Sequence, residues 1–137
     1  MNAAARANKW RDLARLCAWY GIGWFGEGLR SYPPTSLRAL RLALVIDDPE
    51  FALAVFRAAF VEDLDIADPA VLASLPGASD PVQQETAGSA EIKQRLRQNG
   101  ETAIAACIFG APSFLVGEEL FFGQDRLEQA LGWDQSG

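Results

Sequence analysis

The residues able to do chemistry are few, and the missing types narrow the choice first. The chain has no histidine, which removes the Ser-His and Cys-His schemes, since both need an imidazole to take the proton. Its two cysteines, Cys17 and Cys107, lie 90 positions apart. There is therefore no C-x-x-C redox pair and, without histidine, no plausible zinc site. A ligand held by backbone amides and a carboxylate remains possible. Gly123-Gln124-Asp125-Arg126 has the right types: free amides at a helix start attract a carboxylate, and the Asp125 carboxylate can hold an ammonium. The alternative is that Asp125 only caps a helix and Arg126 is a solvated charge. Pro112 has a bland reading too, as the first residue of a strand, where its missing N–H is tolerated.

The elements that position these residues are mainly helices. Trp10, Leu13, Leu16, Cys17 and Tyr20 fall at helical spacing, with Gly21 as the stop. A turn-rich stretch runs from Gly21 to Pro33-Pro34. Thr35 or Ser36 then caps a second helix whose buried face is Leu37, Leu40, Leu44 and Val45. Asp48-Pro49, Asp68-Pro69 and Asp80-Pro81 repeat one device: the carboxylate accepts from first-turn amides, and proline stands where no donor is needed. The helix after Asp48 carries Phe51, Val55, Phe56 and Phe60, a stripe that reads as core. The helix after Asp68 is short, and residues 77–89 read as a loop or frayed helix. Ser89 caps a long helix through Ile92, Leu96, Ala103 and Ile104. Beyond Phe109, Ser113 to Val116 and Glu119 to Phe122 read as strands joined by a Gly117-Glu118 turn, an antiparallel hairpin. Gly123 ends it, and a last helix begins at Asp125, carries Leu127, Ala130 and Leu131, and stops at Gly132. The rest of the chain offers no convincing third strand.

The bulk properties bound the setting. At 137 residues, half of them apolar and 22% charged, the chain has ordinary globular composition rather than that of a disordered segment. A net charge of −6 argues against nucleic acid and against a basic membrane patch. Met1 to Trp10 lacks the apolar core of a signal peptide. No stretch approaches the roughly 20 apolar residues that span a bilayer. A cytoplasmic location is the expectation.

One longer pattern goes further. Phe109-Gly110-Ala111-Pro112-Ser113-Phe114-Leu115-Val116 followed by Glu119-Leu120-Phe121-Phe122-Gly123-Gln124-Asp125-Arg126-Leu127 resembles the closing segment of the 2-hydroxychromene-2-carboxylate isomerase/kappa-class glutathione transferase family. Trp10-Arg11-Asp12-Leu13, Ser36-Leu37-Arg38-Ala39-Leu40-Arg41 and Asp65-Ile66-Ala67-Asp68-Pro69 follow the family's order upstream. The resemblance implies an α/β, DsbA-like thioredoxin fold with an inserted helical subdomain. Residues 1–106 would be mainly that insertion, and residues 107–137 the strand-strand-helix close of one partial domain. It implies a cis Ala111-Pro112 bond, with Ala111 offering its backbone to the cysteinyl part of glutathione. It also implies a γ-glutamyl site around Gly123, Gln124 and Asp125. Glutathione as cofactor, a small aromatic substrate and a homodimer follow as expectations. Trp19, Trp24 and Tyr32 are candidate walls of an aromatic substrate pocket, although each is also readable as core.

The chain departs from the family at one end. Relatives open with a strand-helix-strand unit whose first loop carries the serine that activates or holds the glutathione sulfur. The nine residues before Trp10 are too few for such a unit, which needs about 30, and Ser31 and Ser36 fall in the insertion. The expectation is an N-terminally truncated isomerase, inactive alone and with no catalytic residue of its own. A degenerate glutathione-binding or protein-interaction module is the alternative, and a DsbA-like thiol-disulfide oxidoreductase is less favoured without C-x-x-C.

Overall fold

The computed structural model describes residues 3–26, 28–30 and 32–134; Ser31 lies outside them. The chain divides into two compact units, residues 1–93 and 94–137. It is mostly helical, with one two-stranded sheet among the described residues.

The first unit opens with α1 (Ala3–Tyr20). The helix ends at Gly21, whose φ of +65° is the left-handed exit glycine makes without a Cβ penalty. Four helices follow: α2 (Leu37–Ile46), α3 (Pro49–Phe60), α4 (Pro69–Ala73) and α5 (Pro81–Ala87). The three Asp-Pro pairs start α3, α4 and α5 as expected. Asp48, Asp68 and Asp80 accept hydrogen bonds from the N–H groups of Glu50, Ala70 and Val82 at 2.8–2.9 Å, each with proline in the first turn. Residues 81–87, read as loop or frayed helix, are therefore helical. α6 (Ala90–Ala105) begins where the Ser89 hydroxyl accepts from the Ile92 N–H, and it continues into the second unit.

Leu42, Phe51 and Leu72 form the fully buried centre of this unit, surrounded by Ala39, Ala58, Ala59 and Ile66. Two expectations about this core need correction. On α2 the core face is Ala39 and Leu42, whereas Leu37 and Leu40 are 49% and 47% exposed. Apart from Arg38 and Arg41 this helix is apolar all round. Several stripes therefore fit a helical period, and packing on α3 and α5 selects one. Ser36 stands at its N-cap without a side-chain hydrogen bond. On α3, Phe51 is buried but Phe56 is 64% exposed. Phe51, Val55, Ala58 and Ala59 share one face at i, i+4, i+7 and i+8. Phe56 lies on the adjacent face, stacked on Phe60 with ring centroids 6.3 Å apart.

The described residues between α1 and α2 lie outside any helix or strand, so polar contacts must hold them. The Phe25 N–H donates to the Phe60 carbonyl at 3.0 Å. The stronger anchor is Asp63, a buried carboxylate in the turn after α3. It accepts from the Arg30 backbone N–H at 2.8 Å and from Arg30 Nε at 2.7 Å. Asp63 has a φ of +54°, a left-handed conformation that aspartate tolerates better than most residues.

In the second unit, β1 (Ser113–Val116) and β2 (Glu119–Phe122) pair antiparallel, with Ser113 opposite Phe122 and Val116 opposite Glu119. Gly117, at φ +60°, begins the tight turn expected there. After β2 the chain makes a 3-10 turn (Gln124–Arg126) and then α7 (Leu127–Asp134), which packs on β1. Gly132 does not stop this helix. A single glycine costs a helix about 1 kcal/mol relative to alanine, and here α7 gains burial of Ala130 and an edge contact between Trp133 and Phe121.

The Arg30 hydrogen bond, followed by the backbone N–H and the guanidinium charge, holds the Asp63 carboxyl below the usual aspartate range, against the opposing effect of burial. A lowered folded-state pKa contributes stability above the unfolded value of about 3.9, and that contribution is lost as pH falls through the folded value. Asp63→Asn keeps the left-handed preference and removes the charge. Urea midpoints of wild type and variant should differ most near neutral pH and converge as pH drops below about 4. A gap independent of pH would contradict this role for the carboxylate.

Candidate functional site

The five residues expected to hold a ligand, Ala111, Pro112, Gly123, Gln124 and Asp125, all belong to the second unit, and one hydrogen bond gathers them. The Gly123 N–H donates to the Pro112 carbonyl at 3.0 Å. It extends the hairpin by one step beyond the Ser113–Phe122 pair, so the loop before β1 lies beside the turn after β2. The Ala111-Pro112 bond is cis, as expected. A second cis bond, Tyr32-Pro33, was not anticipated. The Ser113 hydroxyl donates to the Gly110 carbonyl at 2.6 Å and holds the loop from its other side. Gly110 is required by packing: a Cβ there would lie 2.9 Å from Cε2 of Phe122, whose ring also meets Phe109 at a centroid distance of 4.7 Å.

Ala111, Pro112, Gln124 and Asp125 are exposed. Among the described residues, no hydrogen bond uses the N–H or C=O of Ala111, and none uses the Asp125 carboxylate. Asp125 is not a helix cap, because Gly123 occupies that position. Its carboxylate instead folds back over Gly123: a Cβ on that glycine would lie 2.5 Å from Asp125 Oδ1. Arg126 donates to Gln129 Oε1 at 2.7 Å, directing its charge along α7. The arrangement offers one unpaired backbone donor and acceptor, and one unpaired carboxylate, on an exposed edge.

A separate feature lies in the first unit. A cavity of about 660 Å³ is walled by Trp10, Trp24, Tyr32, Phe56 and Phe60. Trp10 organises it, stacking on Trp24 at 5.7 Å and meeting the Tyr32 ring edge-on at 4.8 Å. Two of the three aromatic residues proposed from sequence, Trp24 and Tyr32, are thus found at one cavity. Trp19 is not: it is 84% exposed, neither core nor cavity wall. It follows Trp10 by nine positions on α1, about two and a half turns, which puts it on the opposite face of the helix. Lys9 and Arg57 also line the cavity, and sequence reasoning passed over both. Their signal was the position of each cation next to an aromatic residue, Trp10 or Phe56.

Among the described residues, no cluster of histidine, cysteine, aspartate or glutamate could hold a metal ion, and no helix is long and apolar enough to cross a membrane. A family model described as a DSBA-like thioredoxin domain matches residues 8–132. No curated protein matches the chain.

Gly123 makes the site sensitive to one methyl group. Its φ of +113° and ψ of 147° fall in a region open essentially to glycine alone. A Cβ would also displace the Asp125 carboxylate. Gly123→Ala should destabilise the chain by about 1–3 kcal/mol, read from the urea midpoint. A wild-type midpoint would show that the turn tolerates another conformation.

Proposed function

The chain belongs to the DSBA-like thioredoxin domain family, and from that premise we propose that it serves glutathione-dependent isomerisation of the 2-hydroxychromene-2-carboxylate type. Its part is to hold the glutathione peptide. The observation that carries the reading is the pairing of Gly123 N–H with Pro112 C=O, which sets an unpaired backbone edge beside an unpaired carboxylate. A tripeptide with a free α-amino acid at one end asks for both. The exposed Ala111 backbone can pair antiparallel with the cysteinyl residue, as an edge strand accepts an added strand. The Asp125 carboxylate can take the γ-glutamyl ammonium, and the Gln124 side-chain amide its carboxylate.

Bound there, glutathione would supply a thiolate nucleophile for reversible addition to a conjugated substrate. The residues assigned here bind and orient; none of them activates the sulfur. A dithiol mechanism is less well supported, because Cys17 and Cys107 fall in different units and form no C-x-x-C. The same reading includes a homodimer: β1 and β2 pair only with each other among the described residues, and open strand edges invite pairing with another chain.

Calorimetric titration of the 137-residue chain with reduced glutathione should show binding that Asp125→Asn weakens about tenfold, the usual scale of one charge-assisted hydrogen bond. The dipeptide Cys-Gly, which lacks the γ-glutamyl end, should bind wild type and variant alike. No glutathione binding, or equal loss of both ligands in the variant, would overturn the assignment. The chain alone should give no chromene isomerisation above background. Turnover would place a thiol-activating group within these residues.

A further inference from the structure

The first unit leaves a group of large apolar side chains in water at one end of α1. Trp19 is 84% exposed and Tyr20 65%, and beyond the turn Ile22 and Phe25 are 59% and 50% exposed. The turn keeps them close. Gly21, at φ +65°, lets the Ile22 N–H donate back to the Cys17 carbonyl at 2.8 Å, so Ile22 folds against the last turn of α1. Neither Trp19 nor Tyr20 lines the aromatic cavity. Contiguous exposed apolar groups of this kind mark a docking surface. The charge beside them is equally uneven. α1 carries Arg6, Lys9, Arg11 and Arg15 against Asp12 alone, in a chain of net charge −6. Arg11, Arg15 and Trp19 follow at i, i+4 and i+8, on the side of α1 turned away from Trp10, and all three are exposed. Asp12 accepts from Arg15 and offsets part of that charge. Arg11 has no hydrogen-bond or ion-pair partner among the described residues.

From this we infer that the C-terminal end of α1 docks on an anionic lipid surface. Trp19 and Tyr20 enter the headgroup layer with Ile22 and Phe25 beside them, and Arg11 and Arg15 meet the anionic heads. Indole and phenol suit that depth, because each joins an apolar ring to one polar hydrogen. Arginine can lay its stem along apolar groups while its charge stays in the wet layer. The acidic remainder of the chain does not prevent this, since exposed charges more than about 8 Å away are largely screened at physiological salt. A folded protein partner would need a recess for Trp19 and acids spaced to match Arg11 and Arg15. A bilayer surface supplies apolar depth and mobile anionic heads at once. Such docking needs no membrane-crossing helix, and among the described residues there is none. It does not rest on glutathione binding in the second unit.

The test is flotation of the 137-residue chain with two kinds of vesicle, phosphatidylcholine alone and an equal mixture of phosphatidylcholine and phosphatidylserine. The mixed vesicles should bind the chain at least about fivefold tighter, the gain expected from one cation near an anionic surface. Trp19→Ser should weaken that binding about tenfold, the scale of losing one large apolar side chain from an apolar medium. Its urea midpoint should match wild type, because Trp19 is mostly in water. Arg11→Gln should weaken binding about fivefold, and it keeps the test open if the Trp19 variant folds poorly. Ile104→Ser is the control: Ile104 is 75% exposed on α6, and its variant should bind as wild type does. No flotation with the mixed vesicles, equal binding to both kinds, or equal losses in the Trp19 and Ile104 variants would overturn the inference. Trp19-dependent binding to soluble polyglutamate without vesicle binding would overturn it by assigning the surface to an acidic protein. Trp19-dependent self-association that excludes vesicles would overturn it in favour of a second copy of the chain. Asp125→Asn should leave flotation unchanged, so failure here and failure of the glutathione reading are separately visible.

Discussion

One buried carboxylate fixes the part of the first unit that has no secondary structure of its own. The described residues between α1 and α2 have no helix or strand to satisfy their backbone groups. Asp63 supplies two acceptor oxygens where that stretch passes the turn after α3. A buried, ionised carboxylate is costly unless it is paired with a cation and hydrogen-bonded, and Arg30 meets both conditions with its guanidinium and its backbone N–H. The guanidinium remains largely in water, so only one side of the pair bears desolvation. From that anchor follow the placement of Trp24 and Tyr32 around Trp10, and with them an aromatic cavity.

The second unit uses the same economy on a smaller scale. A hairpin of two four-residue strands is marginal alone in water. Here α7 packs on β1, and two ring contacts, Phe109 with Phe122 and Phe121 with Trp133, add to it. The bond from Gly123 to Pro112 continues the ladder past the end of the strands. It makes the loop before β1 and the turn after β2 one surface. Glycine is needed twice on that surface for different reasons: at Gly110 to admit the Phe122 ring, and at Gly123 to adopt a backbone conformation closed to other residues.

How much of this was legible in the sequence depended on how local the cause is. The Asp-Pro helix starts, the Ser89 cap and the Gly117 turn are each decided by residues within four positions of one another, and each was readable. The hairpin register followed from turn length. The core face of α2 was not readable, because a helix apolar on nearly every side leaves the choice to its neighbours. Phe56 was misplaced for a related reason: a run of aromatics reads as one stripe until its members are set on a helix. Asp63 was invisible because its partner is 33 residues away. Lys9 and Arg57 carry no motif, and their shared place at one cavity exists only in three dimensions. At the candidate ligand site Ala111 and Pro112 were named from a family resemblance, and Gly123, Gln124 and Asp125 from their residue types as well as from that resemblance. Their convergence is explained by the hairpin, but the unpaired state of Ala111 and Asp125 required coordinates.

The proposed glutathione site in the second unit rests on a free backbone edge at Ala111 beside the Asp125 carboxylate. The most direct measurement is a titration of the ¹⁵N-labelled 137-residue chain with reduced glutathione, followed by amide shifts and exchange rates. The Ala111 amide should shift strongly and slow its exchange as it acquires a partner, with Gln124 and Asp125 shifting alongside and Leu42 and Phe51 unmoved. Shifts confined to the first unit, or an Ala111 amide unchanged at saturating glutathione, would contradict the assignment of this edge as the glutathione site.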